Sequence, residues 1–232
     1  MTTVNILSTR LLDDEIIARA ASNNIRITQW EFISIRPLND EVTRQLAQES
    51  VARPLISVFT SSNAVSALRS LVKPKTLDVC CLGGKTKETV LQSFPGSNIL
   101  AVANDAAELA HIIVRSDTKE LLFYCGDRRR EELPSILTDA EVKVHEVVVY
   151  QTVETPATVN ATYDGMIFFS PSAVDSYFSV NKIADQTVCF APGETTASKI
   201  RKHCDNPVIL SNAPGQKDIL TAIQNYFLNI QR

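Results

Sequence analysis

No stretch of the 232-residue chain approaches the ~20 consecutive apolar residues that a membrane-crossing helix needs. The opening MTTVNILSTRLLDDE has neither a basic start nor a long apolar segment, so no signal peptide is expected. Charge of one sign is scarce too. A net charge of −3, from 23 basic and 26 acidic residues, gives no whole-chain field for nucleic acid or an anionic membrane. The three histidines (His111, His145, His203) are scattered and form no metal constellation with the five cysteines. Those cysteines (Cys80, Cys81, Cys125, Cys189, Cys204) are odd in number, lie mostly in apolar runs and contain no CxxC. They read as reduced, buried thiols of a cytoplasmic protein. Among the seven glycines there is no GxGxxG and no GxxxxGK[ST], which removes support for dinucleotide or P-loop nucleotide binding. A GxSxG elbow is missing as well, and no Ser/His/Asp set can be assembled.

What is present is a 44% hydrophobic, globular composition in which short β-rich runs alternate with helical patterns. Expected strands are VNIL (4–7), ISVF (56–59), LDVCCL (77–82), NILAV (98–102), LLFYC (121–125), VVVY (147–150), MIFF (166–169), TVCF (187–190) and PVIL (207–210). Between them, Ala64, Val65, Leu68, Leu71 and Val72 share one helical face, as do Ala106, Leu109, Ala110, Ile113 and Val114. The last helix places Ile219, Leu220, Ile223, Tyr226, Phe227 and Ile230 together. Such alternation predicts the α/β class, with parallel sheets covered on both faces.

Two strand-to-helix junctions resemble each other: VFTSSNAV (58–65) and FFSPSAV (168–174). A hydroxyl cap followed by proline is ordinary helix-start chemistry, and capping alone explains either one. The likeness continues, however. CLGGKTKETV (81–90) matches FAPGETTASKI (190–200) at an offset of 109, and VANDAAELAHII (102–113) matches LSNAPGQKDILTAI (210–223) more loosely. Three junctions in the same order argue for two similar α/β units. Simple halves do not fit, because the second unit would lack its first strand and helix. The N-terminal VNILSTRLLDDEIIARAASNNIRI supplies one of each.

The reading is therefore two parallel-sheet, flavodoxin-like domains, one inserted in the other. Residues 1–35 plus 150–232 form the discontinuous domain, and 36–149 the inserted one. Two linker strands within ITQWEFISIRPL (27–38) and KVHEVVVYQTV (143–153) carry the chain across. A two-stranded connection can bend, so a cleft between the domains is expected to close on a ligand. Ligands of open parallel sheets bind at the carboxyl ends of the strands.

Those ends define the candidate site. They offer Ser8, Thr9 and Arg10; Thr60, Ser61 and Ser62; Gly83, Gly84 and Thr86; Gly126 and Asp127; Ser170 and Ser172; and Gly193, Thr195 and Thr196. Helix N-termini with hydroxyls suit carboxylates or phosphates. The cluster DRRREE (127–132) reads as a solvated helix start with internal ion pairs, leaving one of Arg128–Arg130 to meet an acid. Tyr150, on the second crossing strand, is either packing or a neutral phenol donor, its pKa being near ~10.

Taken together, VFTSSNAV, LGGKT, YCGDRRREELP, VVVYQT, FFSPSAV and APGETTA resemble, in order and over nearly the whole chain, the uroporphyrinogen-III synthase family. The resemblance implies two α/β domains on a two-stranded linker with the active site between them. It also implies a cofactor-independent cyclising hydro-lyase of tetrapyrrole biosynthesis, with no metal. The implied substrate is hydroxymethylbilane, a linear tetrapyrrole with eight carboxylates. Loss of the ring A hydroxyl gives an azafulvene. Ring D then attacks through its substituted carbon, and the spiro intermediate fragments and recloses with ring D inverted. The family tyrosine falls on Tyr150, as donor to the departing hydroxyl. Its threonines fall on Thr86, Thr195 and Thr196. Arg10, Ser61, Ser62, Gly84, Gly126, Ser170, Ser172 and Gly193 are the other expected substrate contacts. Pro192 departs from the family pattern, which often has a hydrophobic residue before the glycine. A monomer is expected, with neither nucleic acid nor membrane as partner.

Two other classes share parts of this pattern. A hinged, non-catalytic module for a small polyanion would have the same cleft and insertion. A third reading is a two-domain glycosyltransferase, although 232 residues is short for one and no nucleotide motif supports it.

Overall fold

The structure, a computed structural model, describes residues 3–213 and 215–229. In chain order the elements are β1 (Val4–Ser8), α1 (Asp14–Ala21), β2 (Ile25–Gln29), β3 (Ile33–Pro37), α2 (Glu41–Ala52), β4 (Ile56–Phe59), α3 (Ser62–Leu71), β5 (Asp78–Leu82), α4 (Lys85–Ser93) and β6 (Asn98–Ala103). They continue with α5 (Ala106–Arg115), β7 (Glu120–Gly126), α6 (Glu132–Asp139), β8 (Lys143–Glu154), β9 (Gly165–Ile167), α7 (Pro171–Phe178), β10 (Val188–Ala191), α8 (Glu194–Ile200), β11 (Val208–Leu210) and α9 (Gln216–Asn229). Strand and helix alternate along most of the chain, as the α/β reading requires.

The chain divides into two compact units. The first runs up to Ser34 and resumes at Val153; the second is Ile35–Thr152. The division falls inside β3 and β8, which are neighbours in one sheet. Tyr150 falls in the second unit, where its carbonyl accepts from the Asp127 amide at 3.1 Å. The Asp127 carboxylate in turn accepts from the Thr152 amide at 2.8 Å.

In the first unit the sheet order is β11-β10-β9-β1-β2, with every pairing parallel. Numbered within the unit, this is the flavodoxin order 2-1-3-4-5. Helices α1 and α9, with Leu12 just before α1, cover one face through Ile16, Ala20, Ile219, Leu220 and Ile223. The other face is covered by α7 and α8, through Ala173, Val174, Tyr177, Ala197 and Ile200. Tyr226 and Phe227 pack, half-buried, on the α9 side, whereas Ile230 lies outside the described residues.

The second sheet runs β3-β8-β7-β4-β5-β6. Its pairings from β8 to β6 are parallel. Helices α2, α3 and α4 cover one face with Ala47, Val65, Leu68 and Val90, and α5 and α6 cover the other with Leu109, Ile113, Leu133 and Leu137. The helical faces expected around Leu68 and Leu109 are thus the buried ones. Leaving β3 aside, this order reads 3-2-1-4-5 within the unit, which differs from the first.

The two orders nevertheless correspond position by position. Setting β4, β5 and β6 against β9, β10 and β11 puts β7 opposite β1 and β8 opposite β2. Helices follow the same rule, α3 with α7, α4 with α8, α5 with α9 and α6 with α1, each on the matching face. The first unit takes its β1-α1-β2 segment from the start of the chain, whereas the second draws the equivalent β7-α6-β8 from its own end. A cyclic shift of this kind explains why the repeat is in order yet cannot be cut into halves.

Helix starts follow the expected capping chemistry. Asp40 accepts from the Thr43 amide, Asp105 from Glu108, and Ser170 from Ala173 at 3.2 Å, ahead of Pro171. Each such cap contributes about 1 kcal/mol. Among the described residues no helix is long and apolar enough to cross a membrane. All five cysteines are free thiols. Burial pushes the Cys80 thiol up to about 11 and the Cys125 thiol up to about 12, so both stay protonated and inert.

Because the second unit has helices on both faces of its sheet, we propose that it folds alone. The excised segment 35–152 is expected to unfold in one cooperative transition in urea. A non-cooperative melt of that segment would reject it as an autonomous domain.

Candidate active site

In a doubly wound sheet the helices following two adjacent strands leave on opposite faces, and the gap opens at the carboxyl ends of those strands. In the second unit that point lies between β4, followed by α3, and β7, followed by α6. In the first it lies between β1, followed by α1, and β9, followed by α7. The stretches VFTSSNAV and FFSPSAV therefore occupy equivalent places, one at each switch point.

At the second unit's switch point the structure brings Ser61, Gly126 and Tyr150 together. Ser61 caps α3, its Oγ accepting from the Asn63 amide at 3.1 Å. The same hydroxyl stands near enough to the Tyr150 phenol to act on its pKa. Tyr150 is half-buried, and burial raises its pKa, opposed by Ser61 and assisted by the nearby Asp127 carboxylate. A phenol held above its ordinary ~10 is neutral throughout the physiological range and available as a donor. Ser62 stands half-buried at the first position of α3.

At the first unit's switch point the β1 end is spent on structure. Ser8 donates to the Arg10 carbonyl at 2.7 Å, and Thr9 is buried with its hydroxyl donating to the Ile167 carbonyl at 2.9 Å. Arg10 is different. Its guanidinium carbon lies 3.9 Å from the centre of the Phe169 ring, and its buried Nε has no hydrogen-bond partner among the described residues. Burial lowers its pKa, with Asp13 opposing the shift, yet a guanidinium remains cationic. The result is a stacked, partly desolvated cation with no ion pair among the described residues. Phe169 was not among the expected site residues. The expected strand MIFF stops at Ile167, and Phe169 turns to meet the arginine. Ser170 caps α7, and Ser172 is half-buried at its second position.

One strand further out in each sheet lie the GxT junctions. Helix α4 begins after Gly84 and α8 after Gly193, and neither has a side-chain cap. Their first amides thus lack the side-chain acceptor that α3 and α7 have. Thr86 and Thr196 are buried, whereas Thr195 is exposed, so the equivalent Thr86 and Thr195 differ in environment. Gly84 has φ 59 and ψ −132, a region that only glycine occupies cheaply.

The arginine cluster is mainly structural. Arg129 makes two 2.6 Å hydrogen bonds to Glu146 and a 2.6 Å ion pair with Glu131, in that order the causes of its raised pKa, with burial opposing. Arg130 is exposed, with no ion pair among the described residues. Among the described residues no cluster of three or more histidine, cysteine or acidic side chains is placed to hold a metal.

A family model described as uroporphyrinogen-III synthase HemD matches residues 14–221. No curated protein matches the chain by sequence. Among solved structures, the chain is similar to uroporphyrinogen-III synthetase from Helicobacter pylori, with a TM-score of 0.68 at 15% identity over 96% of this chain and 99% of that one. It is also similar to a mutant uroporphyrinogen III synthase from Thermus thermophilus, with a TM-score of 0.59 at 14% identity over 98% of this chain and 99% of that one. At these identities the structural likeness speaks for the fold, and the family match covers most of the sequence.

The two uncapped junctions differ in what they ask of glycine. A Cβ at either Gly84 or Gly193 meets nothing within 4 Å, but Gly193 has φ 179, open to any residue. Gly84→Ala is expected to lower the unfolding free energy by about 1–3 kcal/mol, with Gly193→Ala near neutral. Equal midpoints and slopes for both variants in urea denaturation would refute the strain assigned to Gly84.

Proposed function

The chain belongs to the uroporphyrinogen-III synthase family, and we propose that it cyclises hydroxymethylbilane to uroporphyrinogen III with inversion of ring D and loss of water. The family match over residues 14–221 carries this reading. The switch-point geometry supports it.

The substrate sets the demands. It ionises with help from its own pyrrole nitrogen, so the protein needs a positioned donor for the departing oxygen rather than a strong acid. Tyr150 answers that description: a neutral phenol, half-buried, at a switch point, its ring over Gly126. The eight carboxylates need binding without a large basic patch, in a chain of net charge −3. Arg10, stacked on Phe169 and unpaired among the described residues, is a carboxylate handle on the first unit. The amides at the uncapped starts of α4 and α8, with Gly84, Thr86, Gly193, Thr195 and Thr196 beside them in sequence, and Ser62 and Ser172 in the first turns of α3 and α7 are the neutral ones. Holding the flexible chain in the conformation that leads to the spiro intermediate is the larger part of catalysis. We place the enzyme in the cytoplasm as a monomer; its free cysteines suit a reducing compartment.

Assay is direct. Hydroxymethylbilane generated in situ should give the type III isomer with the protein and the type I isomer, which closes spontaneously, without it. A product of type I alone at saturating protein would exclude the activity. Arg10→Gln should raise KM by about tenfold to a hundredfold, the loss expected of a charged hydrogen bond. An unchanged KM would remove Arg10 from the substrate's contacts. Tyr150→Phe keeps the ring and deletes the donor. It should lower kcat moderately, leave KM nearly constant, and raise the type I fraction at limiting enzyme. Wild-type kcat and isomer ratio in that variant would make Tyr150 a packing residue.

A further inference from the structure

Strand β8 contains a local irregularity at the point where the candidate donor stands. Cys125 of β7 pairs with Val148, but the next residue, Gly126, pairs with Tyr150, so Val149 has no partner in β7. Side chains of a regular strand alternate between faces. Here Val147 and Val149 are buried on the α3 side of the sheet, and Val148 packs on the α6 side. Regular alternation would send Tyr150 to the α6 side with Val148. Instead Tyr150 packs with Val147 and Val149, on the side where α3 begins and Ser61 stands. One extra residue reverses the direction of the tyrosine, as bulges beside active sites are known to do.

The turned ring needs room, and Gly126 provides it. A Cβ built on Gly126 would stand 2.8 Å from the Tyr150 phenolic oxygen and closer still to ring atoms Cε2 and Cζ. Gly126 itself is buried, and its φ is not positive, so the requirement is space rather than backbone conformation. Asp127 locks the arrangement from the next position. Its amide donates to the Tyr150 carbonyl at 3.1 Å, and its carboxylate accepts from the Thr152 amide at 2.8 Å.

We infer that Gly126 and the unpaired Val149 are positioning residues: together they turn Tyr150 out of strand alternation and lay its ring over the Gly126 backbone, on the side of the sheet where α3 begins. The inference rests on reading Tyr150 as the donor to the leaving hydroxyl. It also gives Gly126 a role other than substrate contact, since the ring already covers the direction in which its side chain would point.

Gly126→Ala in the full chain tests this, alone and combined with Tyr150→Phe. The single variant should lose kcat by no more than Tyr150→Phe does, with KM little changed, as for a misplaced catalytic group. In the Tyr150→Phe background the same substitution should cost little further, because the hydroxyl it misplaces is gone. Equal losses in both backgrounds would overturn the inference. A second readout does not depend on activity. With tyrosine labelled at 13Cζ, the Tyr150 signal, identified by its loss in Tyr150→Phe, should titrate above ~10 in the parent and move back toward ~10 in Gly126→Ala. An unmoved titration would also overturn the inference. If the titration moves while Tyr150→Phe is fully active, the positioning stands and the donor reading fails. Should Gly126→Ala not fold, adding Tyr150→Ala removes the clashing ring and should restore the melting temperature of Tyr150→Ala alone. A double variant as unstable as Gly126→Ala would show that the clash lies elsewhere.

Discussion

A parallel sheet wound in both directions must reverse its direction of winding somewhere, and at that point no helix can bridge the two strands that part. The constraint is topological, so it leaves a gap at the carboxyl ends of those strands whatever the sequence. In the second unit the gap opens beyond Phe59 and Gly126, and in the first beyond Ser8 and Ile167. The features argued to matter sit at these gaps. Ser61 and Ser170 cap the departing helices, Arg10 stacks on Phe169, and Tyr150 lies over Gly126. Two hydrophobic faces per sheet fix the gap's position, and the polar residues then use it.

Equivalence of the two sheets makes their differences informative. The β1 end in the first unit and the β7 end in the second occupy the same place, yet one delivers a cation and the other a flat glycine floor. Thr9 is buried and tied to Ile167, so the chain leaves β1 rigidly and projects Arg10. Gly126 has no side chain to project, and the neighbouring strand supplies the functional group instead. On the proposed reading, equivalent positions take complementary tasks, charge recognition in one unit and hydrogen-bond donation in the other. The outer pair, Gly84 and Gly193, keeps more of the common pattern: a strand, a glycine, an uncapped helix.

Much of this was legible in the sequence, for reasons that are physical. Apolar strand runs and 3.6-residue stripes around Leu68, Leu109 and Leu220 report burial directly, and these residues are in the cores. The repeat across 81–90 and 190–200 was readable because a glycine before an uncapped helix leaves a local signature. Helix α2 was not named from its sequence: Ala47, Ser50 and Val51 bury only a thin stripe in a polar segment. Nor could the run VVVYQT reveal its bulge. Any strand of consecutive apolar residues is compatible with either face, and only pairing with β7 shows that Val149 is skipped. Burial also separates Thr86 from Thr195, which share one motif, because it depends on the neighbouring packing rather than on the motif itself.

A chain of net charge −3 is an unobvious host for a substrate with eight carboxylates, and the resolution is local. Fields of exposed charges fade over a Debye length of about 8 Å at physiological salt, so the sum over the chain decides little. What a carboxylate meets at a switch point is the nearest amide, hydroxyl or guanidinium, held where water is partly excluded. An array of surface lysines would attract the same anion but leave it free to rotate, and rotation is what a cyclase has to prevent. Neutral donors fixed on helix starts, with one cation stacked on an aromatic ring, constrain direction as well as distance. The same reasoning applies to Tyr150. On the proposed reading its value lies less in acidity than in being held at one place by a strand, a bulge and a glycine, for a reaction whose outcome depends on which end of a flexible chain arrives first.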